Sequence, residues 1–228
     1  IPVINNRDHV FGAQYTYYEN DYINYFEGSI NHFTILNKSI NESIIDNIYS
    51  SSYIIEESNI CYGIDECNIL GNWKFNEGAG DIVYDYSGNG NNGVINGAQW
   101  MMGEVEDPCC YDPENDADGD GLCCSDNIES ENELYFDGDS DYVNCGNNAS
   151  LNIEDSLTVQ VWVKVNSADF WNGIIAKNNP SNYGWYVGTL NQQVHFGGRS
   201  SSYFDTESYF SGNQWDRYTA VYVNGLDR

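Results

Sequence analysis

LTVQVWVKV, the stretch Leu157–Val165, decides the fold class. Its odd-numbered positions are all apolar, whereas Thr158, Gln160 and Lys164 fall on even-numbered positions. Successive side chains of a β-strand point to opposite faces of the sheet, so this alternation predicts a strand with one face in a core and one face in water. Such strands are typical of antiparallel sandwiches.

Other short segments rich in β-branched and aromatic residues also predict strands. They are 68–75, 134–136, 173–177, 185–187, 193–196 and 218–223. Turn-forming Gly and Asn residues separate the segments, most densely in YSGNGNNG at 86–93. Only 41–49 has apolar residues at helical spacing. The sequence therefore predicts an all-β fold, a two-sheet antiparallel sandwich with one short helix.

Composition limits the classes of partner. Hydrophobic residues make up 41% of the 228 residues, which is enough for a packed core. The 8 Lys and Arg against 35 Asp and Glu give a net charge of −27. Such a chain offers no basic patch for nucleic acid, and cations such as Ca²⁺ suit it better. No apolar run approaches the roughly 20 residues of a membrane-spanning helix, so we expect no membrane insertion.

The cysteines and sequons favour an extracellular or cell-surface location. We expect disulfides between Cys61 and Cys67 and between the doublets Cys109-Cys110 and Cys123-Cys124, because adjacent cysteines rarely pair with each other. Bound zinc is the rival, although neither doublet has the usual C-x₂-C spacing. Cys145 is left as a buried thiol or a partner for something outside the chain. Three sequons predict glycosylation at Asn37, Asn41 and Asn148.

Several segments together resemble one family. LGNWKFNEGAG at 70–80 and YDYSGNGNNG at 84–93 are similar to the opening of laminin-G-like, or concanavalin A-like, jelly-roll domains. LYFDGDSDYV at 134–143 and SLTVQVWV at 156–163 match the strands that follow, and 215–225 is similar to later ones. The resemblance implies a two-sheet jelly roll used in adhesion, sugar binding or scaffolding.

The order of segments departs from that family. Residues 1–49 resemble its closing strands followed by a short helix, 50–68 form a linker with a local disulfide, and 69–228 resemble its opening and central strands. Residues 101–133 form a Cys- and Asp-rich insertion where such domains usually have a short connection.

The insertion contains a predicted calcium loop. The expected ligands are the carboxylates of Asp116, Asp118, Asp120 and Asp126 and the backbone carbonyl of Leu122. Carboxylates at alternate positions ahead of Gly121 converge on one hard cation in such loops. The stretch resembles the calcium repeats of thrombospondin type 3 modules, because cysteines bracket the acidic run. A merely solvated acidic loop is the alternative.

Catalysis is not expected. The three histidines lie in unrelated contexts, and no nucleophile or phosphate-binding motif is present. Sugar binding is the alternative to a structural role, with stacking aromatics Trp171, Tyr183, Trp185, Tyr203 and Tyr209 near predicted loops. Trp73 and Trp162 are instead expected in the core.

The leading hypothesis is a structural or adhesive subunit of a surface fibre. In it, residues 1–49 complete the sandwich of a neighbouring copy, so that chains join head to tail. A lectin-like module of a larger adhesin is the alternative function. Two other arrangements explain the order of segments equally: a circular permutant closing on itself, and one period of a longer covalent repeat. Contacts of Phe26, Ile30 and Ile35 with Trp73 and Trp162 of their own chain would favour the permutant.

Overall fold

The structure is a computed structural model with mostly β content. It describes residues 8–16, 21–40, 43–45, 69–101, 132–153, 156–167, 171–178, 184–198, 203–210 and 212–223. Within these ranges there is no helix long and apolar enough to cross a membrane.

The strands are short to medium in length. Their bounds are β1 Val10–Phe11, β2 Gln14–Thr16, β3 Asp21–Ile23, β4 Glu27–Leu36, β5 Ile69–Trp73, β6 Ile82–Val83, β7 Gly93–Asn96, β8 Gln99–Met101, β9 Glu133–Asp137, β10 Tyr142–Asn144, β11 Ser156–Ser167, β12 Asn172–Asn178, β13 Gly184–Leu190, β14 Gln193–Gly198, β15 Tyr203–Tyr209 and β16 Trp215–Val223. A 3-10 helix covers Ala149–Leu151, and 43–45 are helical.

Two antiparallel sheets enclose the core. The eight-stranded sheet has the order β15-β14-β13-β12-β1-β10-β7-β6. The six-stranded sheet has the order β16-β11-β4-β9-β8, with β5 added beside β4. β9 pairs with the first part of β4 and β5 with its last part, so both lie along the same side of that strand. β2 and β3 form a separate two-stranded ribbon. The all-β, two-sheet expectation is confirmed.

The predicted strand segments 134–136, 157–165, 173–177, 185–187, 193–196 and 218–223 each lie in a strand, whereas the segment 68–75 is a strand at Ile69–Trp73 and not at 74–75. The alternation of β11 is as expected on the core side, where Leu157, Val159, Val161, Val163 and Val165 are all at most 4% exposed. The helix predicted over 41–49 is described only at 43–45. No strand was predicted at β2, β3, β6, β7, β8 or β15, because most of them are very short or rich in Gly and Asn.

The N-terminal strands close the sandwich of their own chain. β4 pairs with β11 on one side and with β5 and β9 on the other. Phe26, Ile30 and Ile35 are fully buried in the same core as Trp73. These residues thus share one core with Trp73 of their own chain, which favours the self-closing permutant.

Trp162 does not lie in the core, which corrects the sequence expectation. It occupies an even position of β11, where the pattern that buries Val161 and Val163 turns it outward. Its ring stacks on Trp215 at 6.4 Å between centroids, and the Arg217 guanidinium lies 5.6 Å from the Trp162 ring. Tryptophan is a large aromatic residue and was therefore expected in the core, but the alternation of side chains along β11 places Trp162 on the outer face of the sheet.

The centre of the core is aromatic. The ring of Phe11 contacts those of Phe33, Trp73 and Phe75 at 5.0, 5.2 and 5.1 Å between centroids. All three contacts are edge-to-face, the arrangement that aromatic quadrupoles favour. Trp73 also donates its Nε1–H to the Asn91 carbonyl at 2.8 Å, so its polar atom is satisfied inside the core.

A second, smaller apolar cluster lies on the other side of the six-stranded sheet. It contains Leu36, Ile40 and Ile69, with Ile44 and Ile45 packed against it. Leu36 faces away from the main core because its neighbour Ile35 faces into it. Ile44 and Ile45, which lie in the segment with helical spacing, therefore cover the outer face of this sheet.

Candidate functional site

A group of ring-bearing side chains lies on the outer face of the eight-stranded sheet. Its members are Trp171, Tyr186 and His195, with Gln14 beside them, and we call it the aromatic face. Trp185 and Val187 of β13 face the core, so Tyr186 between them faces outward. The same alternation turns His195 of β14 outward between the core residues Val194 and Phe196.

Hydrogen bonds hold the Trp171 ring in place. Trp171 donates its Nε1–H to Gln14 Oε1 at 2.8 Å, and Asn24 donates its side-chain amide to the same oxygen at 3.0 Å. The ring meets Tyr186 edge-on, with centroids 5.0 Å apart, and lies 5.6 Å from the His195 ring. Trp171 is only partly buried. A fixed aromatic ring beside amide groups is an arrangement that can hold a sugar.

Glycine makes room for this arrangement. Gly197 is the strand partner of Tyr186, and a Cβ on it would overlap the Tyr186 phenol ring. The Tyr186 phenol therefore lies over Gly197, and a side chain at position 197 would displace it. On the same face, the His195 Nε2 lies 3.2 Å from the carbonyl oxygen of Leu190.

A second polar group lies inside the sandwich. Cys145, His9, Lys177 and Trp185 form it, and we call it the polar row. The His9 backbone exchanges hydrogen bonds with Cys145 and Gly146, and Trp185 is the strand partner of Lys177. Val10 pairs with Ala176, which places His9 beside Lys177.

The polar row faces the core. Phe11 and Ile175 belong to the core and lie two residues beyond His9 and Lys177 on the same strands. His9 and Lys177 are both 0% exposed. Neither ring nitrogen of His9, nor Nε1 of Trp185, has a hydrogen-bond partner in the described part of the chain. Buried polar atoms are normally satisfied, so this end of the core is unusual.

Burial shifts the protonation equilibria of the row. It lowers the pKa of His9 well below its ordinary value, and the positive charge of Lys177 lowers it further. It lowers the pKa of Lys177 to about 8, against an opposing attraction from Asp8. It raises the pKa of the Cys145 thiol well above its ordinary value. Burial thus shifts all three groups toward their neutral forms, although Lys177 is still mostly protonated at pH 7.

The predicted sugar-stacking residues do not lie together on one surface. Trp171 lies on the aromatic face, whereas Trp185 is 3% exposed and faces the core, so its assignment as a stacking residue is wrong. Its place in β13, in phase with Val187, turns it inward. The backbone of Tyr203 pairs with Gly197, next to the aromatic face, and Tyr209 is 64% exposed. Tyr183 lies outside the described residues.

The predicted calcium and disulfide residues cannot be placed in the fold. Asp116, Asp118, Asp120, Leu122 and Asp126 lie outside the described ranges. The same holds for Cys61, Cys67, Cys109, Cys110, Cys123 and Cys124. Elsewhere in the described ranges, no three His, Cys, Asp or Glu side chains could hold a metal ion together. Cys145 is a free, buried thiol, one of the two outcomes expected for it.

The sequons differ in their surroundings. Asn37 is exposed in the turn after β4. Asn148 is also exposed, but its side-chain oxygen accepts from Ser150 N–H and caps the 3-10 helix. Asn41 lies outside the described residues. Glycosylation stays a prediction at all three positions.

Comparison of the chain with family models, with curated proteins and with solved structures gives no match.

Sequence reasoning missed the polar row. His9 precedes a strand of only two residues, which is too short to give a periodic signal. Lys177 could have been found, because it is in phase with Ile175 within a predicted strand segment.

Proposed function

We propose that this protein is an extracellular adhesive module that binds a neutral carbohydrate on the aromatic face. The observation that carries the proposal is the Trp171 ring, held by Gln14 and set edge-on to Tyr186 on a sheet surface. Sugar rings present apolar C–H faces that stack on such rings, and their hydroxyls pair with amides such as those of Gln14 and Asn24.

Charge narrows the class of glycan. A net charge of −27 repels anionic polysaccharides at low ionic strength. No cation is among the residues that form the aromatic face. Neutral hexose-based glycans are therefore the expected ligands.

The finer expectations from the sequence belong to the same proposal. We place the sandwich among laminin-G-like jelly rolls, with a non-catalytic role, a calcium loop and disulfides in 101–133. The clustered cysteines and the sequons support the extracellular location.

Head-to-tail assembly into a fibre is a second proposal, and it has less support than carbohydrate binding. It rests on two incomplete ends that complete each other between copies. Because β4 pairs with β5, β9 and β11 within one chain, the open edge that motivated strand exchange is filled. Electron microscopy of the purified chain tests it, since filaments would favour exchange between copies.

The test of carbohydrate binding has two steps. The chain is screened on a glycan array, and the best neutral glycan is then titrated calorimetrically against the wild type and Trp171→Ala. We expect the substitution to weaken binding at least about tenfold, because it removes the stacking surface. An array without any bound glycan, or equal affinities for both proteins, would exclude the aromatic face as the site.

Trp215→Ala is the matched control. Trp215 is also a partly buried tryptophan in a ring contact, but it lies on the six-stranded sheet, stacked on Trp162. The Trp215→Ala variant should bind the glycan with the affinity of the wild type. An equal loss of glycan affinity in Trp171→Ala and Trp215→Ala would show that the effect comes from general destabilisation. Thermal melting of each variant measures that destabilisation directly.

A further inference from the structure

The Lys177 amine lies against two asparagine side chains. Lys177 is the penultimate residue of β12, and its Nζ donates to Asn152 Oδ1 at 2.9 Å and to Asn147 Oδ1 at 3.1 Å. Both asparagines flank the 3-10 helix Ala149–Leu151, in the connection between β10 and β11. The side-chain amides of Asn147 and Asn152 thus contact the Lys177 amine at the end of the core that contains the polar row.

The surroundings disfavour a charged amine. Lys177 is 0% exposed, and its Nζ donates to the neutral amide oxygens of Asn147 and Asn152. Burial removes hydration from an ammonium group, and amide acceptors return only part of that energy, so the free amine gains population. Accordingly, its pKa lies at about 8 despite the attraction of Asp8. A free amine is the nucleophilic form of lysine.

We propose that Lys177 forms a covalent isopeptide bond with Asn152 in the folded chain. The site is a self-modification site whose substrate is the side-chain amide of the protein itself. The contact distance and the buried position of the amine carry the proposal, since a fold that holds two reactants together replaces an encounter in solution.

The reaction balances without an external reactant. The lone pair of Lys177 Nζ adds to Asn152 Cγ and forms the Nζ–Cγ bond. The Cγ–Nδ2 bond then breaks, and its electron pair stays on the departing nitrogen. One proton leaves Nζ and one reaches Nδ2, so a secondary amide and one molecule of ammonia result. Nothing is oxidised or reduced.

His9 is placed to carry that proton. It stands beside Lys177 in the polar row, and its ring nitrogens have no hydrogen-bond partner in the described residues. A neutral imidazole can accept a proton at one nitrogen and return it to a leaving group. The imidazole therefore has a use in this reaction that a merely structural histidine would lack.

Asn152 is a better substrate than Asn147. Its contact with Nζ is shorter, and its backbone N–H is fixed by the Ala149 carbonyl at 3.1 Å. Asn147 is exposed, so water competes for its amide. The Asn147 contact instead holds the amine in position.

Mass spectrometry of the reduced full chain tests the proposal. After incubation in mildly alkaline buffer, we expect the intact mass to be lower than the sequence mass by one ammonia. Trypsin should no longer cleave after Lys177, because the side chain is an amide, and a branched peptide should join Lys177 to Asn152. A full sequence mass in the folded wild type would overturn the proposal.

Variants separate this bond from other losses of ammonia. Lys177→Met and Asn152→Ala should retain the full mass, Asn147→Ala should still react, and His9→Leu should react more slowly. A succinimide at an Asn-Gly pair also releases ammonia but leaves Lys177 cleavable, and that result would contradict the proposal. The wild-type peptide map decides the matter even where a variant fails to fold.

Discussion

Two ends of one core differ sharply, although the same strand contributes to both. At the aromatic end, Phe11 contacts Phe33, Trp73 and Phe75, and every ring is fully buried. At the polar end, two residues earlier on the chain, His9 stands between a thiol and an amine with both ring nitrogens unpartnered in the described structure.

The difference shows that strand periodicity decides which side chains face inward, whatever their chemistry. Each unsatisfied buried polar group costs about 1–3 kcal/mol, so the polar end taken alone opposes folding. The aromatic end offsets this, since each large ring removes apolar surface from water at both sheets. The sandwich can therefore hold reactive groups at one end because the other end is well packed.

The largest expected effect is at the aromatic end. Trp73→Ala should lower the free energy of unfolding by about 3–5 kcal/mol, because it leaves a cavity and removes ring contacts with Phe11 and Phe33. It also leaves the Asn91 carbonyl without its indole donor. Urea denaturation followed by circular dichroism measures the change.

Trp162→Ala is the control for that prediction. Trp162 is partly exposed on the outer face, so its loss should cost about 1 kcal/mol, chiefly from the stack with Trp215 and the Arg217 contact. Equal losses from the two substitutions would mean that the aromatic end is not the main source of stability.

The next effect concerns the acid sensitivity of the polar end. The folded-state pKa of His9 lies below the unfolded value of 6.5. Below pH 6.5 the unfolded chain therefore binds a proton that the folded chain excludes, and stability falls as pH falls. The slope reaches about 1.4 kcal/mol per pH unit for one histidine. Above pH 6.5 this contribution is constant.

Two variants isolate the His9 contribution. In a Lys177→Met background, where the proposed bond cannot form, His9→Leu should reduce the slope of stability against pH by one histidine's share. His32, whose pKa burial lowers to about 3, should give the same reduction when replaced, because it is held neutral in the same way. An unchanged slope after His9→Leu would show that burial does not exclude its proton.

Much of the fold could be predicted because the long strands carry clear periodic signals. β11 shows its alternation over nine residues of sequence, and its core positions are those expected. β1 has only two residues, so no local signal distinguishes it from a loop. Its position between β10 and β12 depends on pairing with residues far along the chain.

The candidate sites were only partly predictable for a related reason. Trp171 was predicted as a surface aromatic from its loop context, but its partner Gln14 is 157 residues away in the chain. Trp185 was misassigned because aromatic residues suit both cores and binding sites. Lysine is seldom fully buried, so its spacing of two residues from Ile175 in β12 did not suggest that Lys177 faces inward.

The smallest expected effect concerns the connection that brings Asn147 and Asn152 to the polar end. Asn148 caps the 3-10 helix, accepting from Ser150 N–H at 3.1 Å, and donates to the Asn89 carbonyl at 3.2 Å. Asn148→Ala should cost about 1 kcal/mol, whereas Asn148→Ser should cost less, because a serine oxygen can also cap a helix. Both remove the sequon, so glycosylation cannot explain a difference between them. Thermal unfolding of the two variants, made without glycans, measures that difference. Equal stabilities would mean that the cap does not hold this connection, and the asparagine contacts with Lys177 would then depend on the amine alone.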